Sequence, residues 1–429
     1  MLSFSHRWWW KNLTDVCQRW RYIIFASPHG LDLRLVCTHR TPTRTSLDIW
    51  PPFPISISCP FWDLDDEGQD NIIAALEHHD RVKQIDISIL RHNQFVFEKF
   101  SAMTQPFPIL TDLRLSSPDD EILLHEEFLG GSAPCLRTIS LRNIGFPAFP
   151  KLALSATHLY SLTLWNITMT GYISPEAMAT CLATLPSLEF FSIGFQSRFF
   201  PDPIGPPPLT RPVLPVLFQF EFEGVSEYLE DLVARIDTPG LLLFEIDLFM
   251  DLTFHIPQLH KFIARTEIML DWPLSEARIT FSDFHIHIGL PLTGMVKSGI
   301  TCEEPDWQAS SMAQVCSQLS RLLAHVKRLD ILENTPGQAQ QGNGINPTRW
   351  LELFDPFPAV QHLHVSDELR PLVARVLQGL TEERATEVLP ALRSLHLKGR
   401  TPSKFIWEGI QAFISARQHS NYPVDVYWE

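Results

Sequence analysis

No C-x-x-C pair occurs in the 429 residues, and the seven cysteines (Cys17, Cys37, Cys59, Cys135, Cys181, Cys302 and Cys316) are odd in number and scattered. A disulfide framework or a zinc ribbon needs paired, closely spaced thiols, so these read as reduced cysteines of a cytosolic or nuclear protein. Basic residues are scarce: 34 Lys and Arg against 49 Asp and Glu leave a formal net charge of −15. That excess argues against the cationic footprint of a nucleic-acid-binding protein. No uncharged apolar run reaches the ~18 residues of a membrane span. Near the N-terminus, Trp8, Trp9, Trp10 and Lys11 follow His6 and Arg7 where a secretion signal would need an aliphatic core. Walker A, G-x-G-x-x-G, G-x-S-x-G, H-E-x-x-H and kinase signatures are all missing, so an enzyme or a cofactor has no motif to stand on.

What is present is a globular composition, 45% apolar and 11% aromatic, which excludes wholesale disorder. At roughly 150 residues per domain, the length allows about three domains or one elongated array. A six-residue pattern, apolar-x-x-apolar-x-apolar, recurs along the chain. Its copies are Val82-Ile85-Ile87, Leu110-Leu113-Leu115, Leu136-Ile139-Leu141, Leu159-Leu162-Leu164, Leu188-Phe191-Ile193, Leu217-Phe220-Phe222 and Leu241-Phe244-Ile246. It returns as Val326-Leu329-Ile331, Val360-Leu363-Val365 and Leu392-Leu395-Leu397. The first seven starts lie 28, 26, 23, 29, 29 and 24 residues apart, within the roughly 20–29 residues of a leucine-rich repeat.

Pro108, Pro134, Pro186, Pro215, Pro239, Pro358 and Pro390 each stand two residues before a first apolar position. Proline disfavours helix in the residue before it and cannot donate to a ladder, so each unit reads as helix, proline break, short strand. Alternation aims the last two apolar positions at the core and the x residues at the opposite face. Helices are expected over 69–80, after Ser174-Pro175-Glu176, and at Asn346-Pro347 and Thr401-Pro402. The expected fold is an α/β solenoid, a curved parallel sheet with helices on the convex side. A doubly wound α/β domain is the alternative, and it would not repeat the pattern with its proline. Three insertions are expected: the proline-rich 199–215, and 293–310 and 333–346, both rich in Gly, Ser, Gln or Asn and read as loops. Between 247 and 326 only a weak copy, around Ile279 and Phe281, is visible.

From Leu13, the positions Leu13, Val16, Cys17, Trp20, Ile23 and Ile24 follow helical spacing and mark an amphipathic helix stopped by Pro28 and Gly30. The run Leu13-Thr14-Asp15-Val16-Cys17-Gln18-Arg19-Trp20-Arg21, then Phe25-Ala26-Ser27-Pro28, Leu31-Asp32-Leu33-Arg34-Leu35 and Leu47-Asp48-Ile49-Trp50-Pro51, resembles the end of an F-box and its junction with leucine-rich repeats. The resemblance is to the F-box proteins of mushroom-forming fungi and covers residues 13–54. It implies a helical F-box remnant over 1–30, a junction or cap over 31–68 and a repeat array over 69–429. It also implies a substrate-recognition subunit of a cullin-type ubiquitin ligase, with no chemistry of its own. Val16, Cys17, Trp20, Arg21 and Ile24 would contact the adaptor subunit. The leucine-proline-rich first helix of an F-box has no counterpart here, which points to weakened docking. A repeat scaffold without ligase association is the alternative.

Partner-binding candidates come from the x positions. Glu221, Glu223, Glu245 and Asp247 fall on equivalent positions of neighbouring copies, about 4.8 Å apart across parallel strands. Like charges at that distance repel, so a basic protein partner is expected to relieve them. Arg142 and Trp165 occupy equivalent positions beside Arg114, a composition found at interface hot spots. Two H-x-H pairs, His285 with His287 and His362 with His364, each place both imidazoles on one face but lack a third ligand, so no metal is expected.

Overall fold

The computed structural model describes residues 16–26, 33–59, 65–88, 98–99, 103–117, 122–197, 210–249, 254–266, 275–283, 285–291, 295–301, 305–333, 347–380, 384–399 and 404–428. Two compact units emerge, one of residues 1–199 with 214–217, the other of 200–213 with 218–429.

The first unit carries β1 (Leu35–Cys37), β2 (Ile55–Cys59), β3 (Val82–Ser88), β4 (Asp112–Ser116), β5 (Ile122–Leu123), β6 (Thr138–Arg142), β7 (Ile144–Gly145), β8 (Ser161–Ile167) and β9 (Phe190–Phe195). Its main sheet runs β1-β2-β3-β4-β6-β8-β9, with every pair parallel, and β5 pairs with β7 beside it. The parallel sheet therefore begins within the junction segment, upstream of the first repeat copy.

The second unit holds β10 (Gln219–Gly224), β11 (Leu243–Phe249), β12 (Glu276–Phe281), β13 (His285–Pro291), β14 (Met295–Thr301), β15 (Arg328–Glu333), β16 (His362–Val365), β17 (Ser394–Leu397) and β18 (Asp425–Trp428). They order as β10-β11-β14-β13-β12-β15-β16-β17-β18. β13 is antiparallel to both neighbours, while every other pairing is parallel. Only three residues separate β12 from β13 and β13 from β14. Links this short can close a hairpin but cannot carry a parallel crossover. The segment 293–310, expected as a loop, thus contains β14 and the start of the helix Pro305–Gln318. Residues 199–209 and 334–346 of the other two expected insertions lie outside the described residues.

The repeat pattern explains the core. All three apolar positions of each of the ten copies are at most 4% exposed. Behind the sheets, helices such as Asp66–Leu76, capped by Asp65 on the Gly68 N–H, bury Ile72, Ala75 and Leu76. Ser174 caps the helix Pro175–Leu182 as its sequence signal implies. The prolines have a more specific task than breaking helices. In all seven copies the first apolar residue donates its N–H to the carbonyl three residues earlier, as in Leu110 to Phe107, Leu188 to Leu185 and Val360 to Phe357. Proline is the second residue of that turn, where its fixed φ is favoured. Asn143 and Asn166 repeat a second device: each follows strand residues of β6 or β8 with a φ of 56°, a left-handed backbone that asparagine tolerates.

A buried acid ties two helices of the second unit together. Glu230, on the helix Ser226–Arg235, accepts the N–H groups of Gln258 and Leu259, each at 2.7 Å. It thereby caps the first turn of the helix Pro257–Arg265.

Candidate functional site

In each unit the core claims one face of the sheet and leaves the x positions on the other, where strand register sorts them into rows. In the first unit one row reads Ser58, Asp86, Arg114, Ser140, Thr163 and Ser192. Arg114 lies beside Asp86, whose carboxyl is pushed up by burial and partly restrained by the guanidinium. The next row places Arg142 beside Trp165, as the sequence spacing implies. Arg114 sits one pleat away, opposite Ser140. Trp165 lies across Gly194, where an added Cβ would come within 3.0 Å of the indole. The ring is therefore half-buried on its neighbouring strand, and Arg142 remains exposed.

In the second unit the four carboxylates meet in register: Glu221 with Glu245 and Glu223 with Asp247. Burial and the adjacent Asp247 both push the Glu223 carboxyl up from its ordinary value. Gln219 donates to Glu221 across one pleat. A further strand, β14, unforeseen in the sequence, lies alongside these rows, with Gly299 in register with Asp247. Beyond it, β13 brings His287 Nδ1 to 3.4 Å from Asp247 Oδ1, over Gly299. A side chain at Gly299 would collide with both.

The histidines are more organised than their spacing implies. His285 and His287 share a face with ring centroids 5.7 Å apart, and His285 Nδ1 lies 3.2 Å from the Thr301 hydroxyl. His362 Nδ1 contacts Ser394 Oγ at 2.7 Å, and the same hydroxyl lies 3.0 Å from His396 Nε2. His364 and His396 stack at 4.1 Å and 2°, and Tyr427 continues the stack at 4.8 Å and 17°. His396 and Tyr427 lie outside the candidates that the H-x-H spacing singles out, although His396 is the x residue of the tenth copy. Among the described residues no group of three or more His, Cys, Asp or Glu is placed to hold a metal ion. The buried thiols are poor nucleophiles: burial pushes Cys37 and Cys59 up to about 11 and Cys181 up to about 12.

Near the N-terminus the structure describes a helix over Gln18–Phe25. Val16, Cys17, Trp20, Arg21 and Ile23 are exposed on and beside it. Ile24, expected among the adaptor contacts, is buried instead, and Phe25 packs edge-on against Trp50 and Phe53 at 6.2 and 5.3 Å. Ile24 thus anchors the helix and is not available for docking. No described helix is long and apolar enough to cross a membrane.

Comparison with solved structures yields several matches. The chain is similar to the leucine-rich repeat-containing protein LegL7 from Legionella pneumophila, at 12% identity, over 89% of this chain and 97% of that one, with a TM-score of 0.26. No family model matches, and no curated protein matches. The repeat character of this chain is carried by its own register, turns and buried pattern.

Proposed function

We propose that the chain is a protein receptor built as a leucine-rich-repeat solenoid, curved with its helices on the convex side. Its outward strand face binds a protein substrate, and it serves as the recognition subunit of a cullin-type ubiquitin ligase for ubiquitin-dependent degradation in the cytoplasm or nucleus. The observation that carries the receptor reading is the set of rows at the outward positions: Asp86 with Arg114, Arg142 with Trp165, and Glu221, Glu223, Glu245 and Asp247 together. Aligned rows of charged and aromatic groups on a rigid parallel sheet suit recognition of a folded or extended protein. Crowded carboxylates favour a partner that brings Lys or Arg.

The ligase part rests on the F-box resemblance and on the exposed Val16, Trp20 and Ile23 beside Cys17 and Arg21. Burial of Ile24 favours the second reading, a binding scaffold without ligase association, because it shortens the apolar stripe that the described residues expose. A standard interface buries roughly 1,600 Å² in total, more than one short helix supplies. Co-purification with a cullin-ligase adaptor separates the two. The chain by itself should recover little adaptor, and fusing an F-box first helix ahead of Met1 should give a stable complex. A fused form that still fails to bind would leave the scaffold.

A further inference from the structure

Arg114 and Arg142 stand at opposite corners of a cell on the outward face of the first unit. Register puts Arg114 beside Ser140 and Ser116 beside Arg142, so the other two corners are serines. Strand spacing and rise put the two arginine Cα atoms about 8 Å apart. Both side chains are exposed, and among the described residues neither forms a salt bridge. Among the described strand residues of this face the carboxylates are Asp86 and Asp112. Asp86, beside Arg114, is half-buried and pushed up by that burial. Asp112 already accepts from the Thr111 hydroxyl and the Gln84 amide. Arg142 has neither acid next to it, since its register neighbours are Ser116 and Trp165.

A trough of short hydroxyl side chains leads away from this cell. Ser140, Thr163 and Ser192 follow one another in register across β6, β8 and β9. Larger side chains stand on either side of it: Trp165 lies across Gly194, and Phe190 stands one pleat before Ser192. Two hydroxyls of this face are stranded. Ser192 Oγ in the trough, and Thr138 Oγ1 one pleat before Ser140, belong to residues only 8% and 5% exposed. Among the described residues neither oxygen has a hydrogen-bond partner. A buried hydroxyl without an acceptor is unfavourable, so a ligand that brings acceptors gains hydrogen bonds the free protein lacks.

We propose that the cell and its trough bind an extended acidic segment of a partner protein. Carboxylates two residues apart lie about 7 Å from each other in an extended chain, which matches the two guanidiniums. Each can then take one carboxylate in a charge-assisted pair. The residues that follow are small, because Trp165 and Phe190 flank the trough, and their main-chain carbonyls accept from Thr163 and Ser192. Charge complementarity decides the occupant: exposed arginines without a salt bridge call for carboxylates. This inference rests on the receptor reading, and it gives the first unit a ligand opposite in sign to the basic partner of the acidic rows on β10 and β11.

The test is fluorescence anisotropy of the full chain with a labelled peptide of core Glu-Gly-Glu-Ala-Gly-Ala in a Gly-Ser context. Saturable binding that weakens with added salt is expected, and a Lys-Gly-Lys-Ala-Gly-Ala peptide should not bind. Arg114→Gln combined with Arg142→Gln should weaken binding about tenfold or more, with circular dichroism unchanged. Ser192→Ala removes a stranded hydroxyl, so it should leave the melting temperature unchanged or higher and yet weaken binding. A serine with a purely structural role would not give that combination. Glu221→Lys with Glu245→Lys should leave peptide binding intact. The proposal is overturned if the Glu peptide does not bind, or if it binds the double glutamine chain equally well. It is also overturned, in favour of a phosphoryl site, if only a peptide with phosphoserine in place of both glutamates binds. It is overturned, in favour of a second copy of this chain, if the peptide is ignored and sedimentation shows a dimer that the two glutamines abolish. The receptor reading has its own readout, recovery of basic proteins by the acidic rows, so the two fail separately.

Discussion

His287 reaches Asp247 across a glycine: Nδ1 and Oδ1 lie 3.4 Å apart, and Gly299 occupies the register position between their strands. The contact exists because β13 enters the sheet reversed, between two strands that run the other way. It also changes the character of the acidic rows, since one of the four carboxylates already has a histidine beside it.

Gly299→Ala is expected to push the Asp247 and His287 side chains apart, because the added methyl meets only their polar ends. The cost should be about 1 kcal/mol or less, and a double-mutant cycle between positions 247 and 287 should lose its coupling. Gly171→Ala is different, since its methyl would sit 2.5 Å from the Cα of Gly145. Backbone cannot yield as side chains do, so a loss of about 2 kcal/mol or more is expected. Thermal or urea melts of the two variants would separate these cases.

Trp20 and Ile24 should behave oppositely. Trp20→Ala, at an exposed site, should leave the melting temperature nearly unchanged while lowering adaptor recovery by the fused F-box form. Ile24→Ala opens a cavity beside the Phe25 cluster and should destabilise the first unit by about 2 kcal/mol or more. Equal adaptor recovery by the Trp20→Ala chain would remove this helix from the docking surface.

Glu223 gives a pH dependence of definite sign. Its folded-state pKa is raised above the ordinary 4.5 by burial and by Asp247. A raised carboxyl favours the protonated fold, so its contribution is fully present below the unfolded value and is lost as pH rises through the folded one. Glu223→Gln should therefore raise stability near pH 7 and flatten the melting curve's dependence on pH just above 4.5. The group is half-exposed, so solvent screening holds the gain below about 1 kcal/mol.

Much of the fold was legible because burial repeats. Leu110, Leu113 and Leu115 announce a strand by position alone, and the same spacing recurs often enough to be unmistakable. Proline's incompatibility with helix marks the right positions, but Pro108 and its equivalents act as the second residue of a turn. The reversed strand was hidden. His285-Ile286-His287-Ile288 alternates visibly, but alternation says nothing of direction; the three-residue links on either side do. Of the candidate site, the registers Arg142 with Trp165 and Glu221 with Glu245 could be read from spacing. The proximity of His287 to Asp247 could not, since it depends on that reversal. Glu230 was equally invisible, because a cap between helices leaves no periodic trace.

Arg417 offers a test of the second unit's packing. Its side chain is fully buried and donates to the carbonyls of Ala385, Val388, Leu389, Pro390, Leu392 and Tyr422. Arg417→Leu would strand those acceptors and should cost about 3 kcal/mol or more. Arg417→Lys, with a smaller set of donors and no planar fork, should recover only part of that loss in a denaturant titration.

The receptor account is tested most directly by quantitative pull-down from a native lysate, comparing the unaltered chain with Glu221→Lys combined with Glu245→Lys. Both chains should melt alike and show the same circular dichroism. The account predicts that a defined set of basic proteins bound by the unaltered chain is lost from the double variant. Recovery of the same proteins in the same amounts would contradict it.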